Sequence, residues 1–248
     1  DDLALVSNAR STEAQRRAPD HYWIVRLAAV HDADAGLIDH TTEMHLLEQS
    51  IAAGNLQDWR SGNSLFQARV HALGVIPALQ SPMAPLSSGL YGYNYALTIE
   101  ETAESKADEL PEEARDQAYA LLREAQKNAY EQARAAMERY FATGSGHRYD
   151  SCAHQYSMLC NNLALNYRDY NNQARYHDAI ELHGNGIAAS PFAEHYHGLL
   201  KNQIRLDDEP GIIEAAEQLW HFSAQYGYSR HDPNDYIIDV VFALKSLG

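Results

Sequence analysis

Residues 175–206 read RYHDAIELHGNGIAASPFAEHYHGLLKNQIRL and contain two helical patterns separated by Ser190-Pro191. The stripe of the first pattern recurs at intervals of three and four residues, which is the spacing of one face of an α-helix. That stripe consists of Tyr176, Ala179, Ile180, His183 and Ile187. Because proline does not continue a helix that precedes it, the stretch predicts two helices joined as a hairpin.

Helical patterns continue on both sides of this hairpin, and breaks rich in Asn, Asp, Pro and Gly separate them. The predicted helices of this half cover residues 154–168, 175–189, 192–206, 211–226 and 233–247. No strand-like alternation is found in this half, so the sequence predicts an all-α fold.

The first half is also expected to be helical. Apolar spacing predicts helices over residues 40–53 and 63–73, whereas 21–30 fits a buried helix turn or a strand. The clearest element covers 111–142, a helix of about 32 residues that begins at Pro111 and carries an alanine-rich stripe. Its stripe is predicted at Ala114, Ala118, Leu121, Ala125, Ala129, Ala133, Ala136 and Tyr140.

A loop rich in Pro, Ser, Gly and Tyr is predicted at 77–95, because several prolines interrupt any long helix there. Its last part, LYGYNY, carries Tyr91, Tyr93 and Tyr95 at alternate positions. On an extended backbone these rings would share one face and offer contact area for a ligand. The alternative is that they pack across the helices on either side.

Charge and cysteine content narrow the context. The 248 residues carry a formal net charge of −15, which repels nucleic acid and favours a basic partner, although acidity also serves solubility alone. No segment approaches the roughly 20 apolar residues of a membrane span. Cys152 and Cys160 lie eight residues apart on one predicted helix, too far for a disulfide, so two free thiols and a cytoplasmic protein are expected.

The second half resembles the tetratricopeptide repeat. The match consists, in order, of Leu163-Ala164, Tyr167, Ala179 and Pro191. It departs from the pattern at Cys160, where a Trp is expected, at Ile204, which replaces an aromatic residue, and in three extra residues after Tyr167. The resemblance covers residues 154–247 and implies a solenoid of helical hairpins, with residues 1–150 as a helical N-terminal region and 151–248 as the repeats.

In tetratricopeptide-like folds the first helix of each hairpin lines a concave binding surface. The resemblance therefore makes several polar side chains candidates for contact with a ligand. They are Asn162, Asn166, Tyr170, His195, Lys201 and Asn202.

Catalytic and metal-binding signatures are not found in the sequence. The chain has thirteen histidines, a residue type common in metal and catalytic sites, but it has neither the HExxH nor the CxxC metal-binding motif. It also lacks the GxSxG, P-loop and GxGxxG motifs. We expect no metal, no cofactor and no catalytic residue.

The function expected from these observations is that of a protein-binding module or scaffold. An immunity or adaptor protein that holds a basic effector or toxin would suit the charge. One alternative is a hydrolase-type enzyme in the N-terminal half, with His31, His40 or His45 as acid or base and residues 90–95 as a lid. Another is a homo-oligomeric structural protein.

Overall fold

A computed structural model describes residues 22–53, 59–83, 89–142, 150–170, 174–226 and 233–246. Regular structure within these ranges is α-helical throughout, which confirms the all-α prediction. The helices are α1 (Tyr22–Asp34), α2 (His40–Ala53), α3 (Trp59–Leu73), α4 (Val75–Gln80), α5 (Gly89–Ala107), α6 (Glu112–Ala142), α7 (Asp150–Asp169), α8 (Tyr176–Ala189), α9 (Ala193–Leu206), α10 (Glu209–Tyr226) and α11 (Pro233–Ser246).

The chain forms two compact units, Asp1–Ala136 and Met137–Gly248. Helices α1 to α5 and most of α6 belong to the first unit. The end of α6 and helices α7 to α11 belong to the second. The predicted domain boundary at residue 150 stays a prediction.

In the first unit, α1, α2 and α3 pack against one another around a small apolar core. Met44 and Leu47 of α2 meet Ala29, Leu65 and Ala68 there. The predicted helix 40–53 is confirmed, and the ambiguous run at 21–30 proves to be helical in α1. Asp39 caps α2, because its Oδ1 accepts a 2.7 Å hydrogen bond from the Thr42 amide, and this bond lowers the pKa of the carboxyl.

The prediction of a loop at 77–95 is wrong over residues 77–80 and 89–95, which are helical. Pro77 lies in the first turn of α4, where backbone amides have no acceptor within the helix, so its lack of an amide hydrogen costs no helical hydrogen bond. Gly74, which precedes the helix, has a φ of 88°. The run LYGYNY forms the first turns of α5. Residues 84–88 of the predicted loop lie outside the described residues.

Tyrosines of α5 pack as the alternative interpretation had it, against helices on either side. The ring of Tyr95 meets Phe66 of α3 edge-on with centroids 6.3 Å apart, and Tyr93 lies 6.3 Å from Tyr130 of α6. Both are buried, and burial raises the pKa of Tyr95 to about 12. On a helix, residues two apart point in different directions, so the rings do not share a face.

Helix α6 confirms the predicted long helix, but its buried face is turned slightly from the predicted stripe. Leu122 and Gln126 are buried where Leu121 and Ala125 were expected, and Tyr140 is exposed. Three polar contacts accompany this turn. Gln126 Nε2 donates to the carbonyl of Ala96 at 3.3 Å, and Arg123 contacts Glu100 at 2.6 Å and Glu104 at 3.0 Å.

In the second unit each helix from α7 to α11 packs against the next one. Helix α9 also contacts both α7 and α11. All five predicted helices of this half are confirmed, with ends within a few residues. The main apolar core joins α9, α10 and α11 through Ala193, Leu200, Ile212, Ala215, Ala216, Leu219, Val240 and Ala243. Cys152 and Cys160 are free thiols on α7, as expected.

Candidate functional site

A repeated His-x-x-Gly pattern brings α8 and α9 into close contact. It occurs at His183 and Gly186 on α8, and again at His195 and Gly198 on α9. The two helices run antiparallel through a short connection. Moving three residues forward along α8, from His183 to Gly186, therefore corresponds to moving three residues back along α9, from Gly198 to His195. Each histidine thus lies opposite the glycine of the other helix.

Each glycine provides the space for one imidazole ring. A methyl group added at Gly186 would overlap the ring of His195, and one added at Gly198 would overlap the ring of His183. Both histidines are fully buried. Their rings lie edge to face with centroids 5.4 Å apart, and the ring of Phe192 lies 4.2 Å from that of His195.

Ser157 of α7 extends this pair into a buried chain of hydrogen bonds. Its Oγ lies 2.8 Å from His195 Nε2, 2.6 Å from the Ser190 carbonyl oxygen and 3.0 Å from that of Gly186. At the other end, the Nδ1 atoms of His195 and His183 are 3.1 Å apart. Three helices are thus joined through one polar chain inside the second unit.

The distances favour one arrangement of the protons. Ser157 has one hydroxyl proton, which the Ser190 carbonyl accepts at the shortest distance. His195 Nε2 then donates to Ser157 Oγ, and His183 Nδ1 donates to His195 Nδ1. His183 Nε2 is left as a buried acceptor, and no described residue donates a hydrogen bond to it.

Burial favours the neutral form of these imidazoles. It lowers the pKa of His195 to about 4 and the pKa of His183 well below its ordinary value. The pKa of His183 is lowered further by the positive charge of Arg168 and by any positive charge on His195 or His197. The hydrogen-bonded series of Ser157, His195 and His183 resembles a serine nucleophile with its general base. Here Ser157 is fully buried and its hydroxyl is held by backbone carbonyls, so it offers no reactive oxygen to a substrate. The hydrogen-bonded series instead joins the helices.

A second polar cluster joins α9 to α11. His197 Nε2 lies 2.6 Å from Asp239 Oδ2, and Lys201 Nζ lies 3.6 Å from the same oxygen. Burial lowers the pKa of His197, although the contact with Asp239 acts in the opposite direction. Lys201, a predicted ligand contact, therefore has an intramolecular partner.

The structure divides the predicted contact residues by exposure. His195, Asn166 and Asn202 are buried on α7 and α9, and Asn202 Nδ2 donates to the Gly198 carbonyl at 2.8 Å. Asn162 and Lys201 are partly buried, and Tyr170 is 38 % exposed. Tyr93 and Tyr95 are buried in α5, and the side chain of Tyr91 lies outside the described residues. A buried side chain reaches a ligand only if its helices separate, so exposed groups are better candidates.

Large apolar side chains are exposed on the outer faces of the last two helices. On α10 these are Ile213 and Trp220, which is 53 % exposed. On α11, Val240 and Ala243 enter the core, whereas other apolar groups of the helix are exposed, of which Phe242 is 67 % exposed. The α11 set consists of Ile238, Val241, Phe242 and Leu244. We call the exposed apolar residues of both helices the outer face of α10 and α11. Exposed patches of this kind mark interaction sites in many proteins.

The outer face has acidic surroundings. From residue 207 to residue 246, which covers both helices, the sequence contains eight acidic residues and two basic ones, Arg230 and Lys245; Arg230 and Asp232 lie outside the described residues. The acidic residues are Asp207, Asp208, Glu209, Glu214, Glu217, Asp232, Asp235 and Asp239. Glu217 lies between Ile213 and Trp220 along α10, and it is exposed like them. Lys245 on α11 is the exposed base beside Phe242. Helical spacing predicts an apolar stripe on each of these helices, and the part of it at Ile212, Ala215, Ala216, Leu219 and Val240 enters the core. The prediction is wrong for Trp220, Val241 and Leu244, which the same spacing placed on the stripes and the structure exposes.

The histidines of the alternative hydrolase lie in the first unit. His40 Nδ1 is 2.8 Å from Glu43 Oε2, and its ring stacks on His71 with centroids 4.6 Å apart. His31 is 3.6 Å from Asp32, and His45 is 3.6 Å from Glu48. The prediction of a loop at 90–95 that acts as a lid is wrong, because those residues belong to α5.

Within the described ranges, no cluster of three or more His, Cys, Asp or Glu residues is arranged to hold a metal ion. None of the helices described there is long and apolar enough to span a bilayer. No known family model matches the sequence, and no curated protein is similar enough to count as a relative.

Proposed function

We propose that this protein is a binding module that holds a basic protein partner against the outer face of α10 and α11. The exposed apolar side chains on this face carry the proposal, because Trp220 and Phe242 leave more than half of their surface in water. Aromatic groups of this kind contribute much of the energy of protein interfaces. Eight acidic residues against two basic ones, from residue 207 to residue 246, add attraction for a positive partner.

The charge also favours a foreign partner over a second copy of this chain. A symmetric pair would place the same acidic region against itself, and like charges across an interface oppose association. A basic amphipathic segment instead places apolar groups on Trp220 and Phe242 and positive groups near Glu214 and Glu217. Within this class, an adaptor or an immunity protein for a basic effector or toxin fits best, and we place it in the cytoplasm.

A tetratricopeptide-like solenoid is the arrangement that we propose for the second unit. Its support is the packing of each helix on the next, together with the contacts that α9 makes with both α7 and α11.

The apolar part of the proposal predicts how a simple probe binds. A fluorescein-labelled amphipathic helix of Leu and Lys should bind the full chain, whereas its Leu and Glu counterpart should not. Trp220→Ser with Phe242→Ser should weaken binding at least about tenfold, because aromatic anchors dominate interface energies. Fluorescence anisotropy measures both dissociation constants. Leu37→Ser is the matched control, since Leu37 is an exposed apolar residue of the first unit. Equal loss in the control, or equal binding of the acidic peptide, would contradict the proposal.

The electrostatic part predicts a separate result. Raising the salt from about 0.05 to about 0.5 M should weaken binding of the basic peptide, because salt screens exposed charges. Glu214→Gln with Glu217→Gln should reduce that salt dependence, whereas Glu112→Gln with Glu113→Gln on α6 should leave it unchanged. The same proteins then serve as bait in a cell lysate. The partner is a basic protein that the control variants retain and the variants of the outer face lose.

A further inference from the structure

A cavity of about 330 Å³ lies in the first unit, between α3, α4, α5 and α6. Its floor is formed by buried side chains that include Phe66, Leu79, Tyr95 and Ile99, and Gln80 and Ser81 add polar groups to the lining. The exposed amides of Asn128 and Gln132, one turn apart on α6, lie among the residues that line it. A buried apolar floor with a few polar groups is the common form of a small-molecule site.

The lining is uncharged although the protein is strongly acidic. None of the described residues that line the cavity has a charged side chain, in a chain whose formal net charge is −15. Arg69, whose partner Pro82 lines the cavity, is already engaged, since it contacts Glu48 at 2.9 Å and donates to the Pro82 carbonyl at 2.8 Å. An ionised ligand would leave water here without gaining a charged partner, which is costly.

The floor also favours an aromatic ligand. Phe66 and Tyr95 meet edge-on with centroids 6.3 Å apart, so their rings present differently directed surfaces. A third ring gains from offset or edge-on contacts with such a pair. The amides on α6 can each donate and accept a hydrogen bond, which suits a carbonyl, amine or hydroxyl group on the same molecule.

We propose that this cavity binds an uncharged aromatic molecule with one or two hydrogen-bonding groups. Its volume falls at the lower end of the range for small-molecule sites, about 300–1,000 Å³. Such a ligand would sit in the first unit, whereas the proposed protein partner docks on helices of the second. The two proposals rest on different residues, and each can fail without the other.

The experiment compares two probes of the same skeleton. N-phenyl-1-naphthylamine is neutral, and 8-anilino-1-naphthalenesulfonate adds a negative charge to it. Both increase their fluorescence in apolar surroundings. Titration of the full chain should show saturable binding of the neutral probe at one site, and at least about tenfold weaker binding of the sulfonate, whose charge must be desolvated. Absence of saturable binding, or equal affinity for both probes, would overturn the proposal.

Variants of α6 then locate the probe. Ala125→Phe fills the cavity from its wall and should abolish binding of the neutral probe. Ala120→Phe is the matched control, because Ala120 is exposed on the same helix, roughly 140° around it. Gln132→Phe narrows the cavity from an exposed position and serves as a second test if Ala125→Phe does not fold. Trp220→Ser with Phe242→Ser should bind the neutral probe normally. Unchanged binding in both cavity variants would refute the assignment.

Discussion

Gly186→Ala should lower the free energy of unfolding by about 3 kcal/mol, because the new methyl group overlaps the imidazole of buried His195. The ring must move, and its movement breaks hydrogen bonds to Ser157 and His183. Chemical denaturation followed by circular dichroism measures this loss. Gly198→Ala, which meets His183, should have a similar effect.

The same helix offers a matched control. Gly184 is exposed on α8 and has nothing within 4 Å of an added methyl group. Gly184→Ala should therefore raise the free energy of unfolding by up to about 1 kcal/mol, through the better helix propensity of alanine. The two substitutions differ only in what the methyl group meets. Similar effects at both positions would show that His195 does not occupy the space beside Gly186.

A double-mutant cycle isolates the contact between ring and glycine. His195→Ala removes the ring, so Gly186→Ala added to it should cost little or become favourable. The coupling between the two sites should be about as large as the cost of Gly186→Ala alone, within the range for residues in direct contact. An unchanged cost of Gly186→Ala in the absence of the ring would contradict this account.

Acidification should destabilise the second unit through the same histidines. The pKa of His195 is lowered to about 4 in the folded protein, against about 6.5 when unfolded. Between these values the unfolded chain binds more protons, so stability is fully present above about pH 6.5 and falls as the pH decreases toward 4. The contribution of His195 to this loss is about 3 kcal/mol at pH 4. His183, whose pKa is also lowered, acts in the same direction.

Carboxylates also titrate in this range, so the comparison needs variants. His195→Gln keeps a group that can donate to Ser157 but removes the titration, and it should reduce the loss of unfolding free energy between pH 7 and pH 4. His177→Gln, which changes an exposed histidine of the neighbouring helix α8, is the matched control. Denaturation series at several pH values measure both slopes. A wild-type slope in the His195→Gln protein would rule out this histidine as the cause.

Sequence periodicity predicted most of the helices because each one has a single continuous apolar stripe and clear end signals. Helix 40–53 and the five helices of the second half are found where the spacing placed them. The prediction from composition was wrong in the helical parts of 77–95, where the density of Pro, Gly and Ser indicated a loop. There, one proline occupies the first turn of α4, and the tyrosines of α5 find aromatic partners on α3 and α6. Tertiary contacts outweigh the weak local preference of such residues.

The candidate sites were less predictable than the helices. His195 was a candidate ligand contact, but the structure buries it against Gly186, and its hydrogen-bond partners Ser157 and His183 were not among the predicted site residues. The repeated His-x-x-Gly pattern was a usable signal, because glycine within a helix often marks a close approach of another group. The cavity beside Phe66 and Tyr95 had no such signal, since its lining comes from four consecutive helices and residues 81–83, and its shape depends on how these pack.

The sequence by itself determined the all-α class, most helix positions, the acidic charge and the inward direction of His183. These properties depend on local spacing and composition, which a linear pattern records. Only the tertiary structure decided which surfaces meet. The antiparallel register of α8 and α9 pairs each histidine with a glycine, and the packing of α10 and α11 leaves Trp220 and Phe242 in water. Such contacts depend on how separate helices approach each other, and helical spacing does not contain that information.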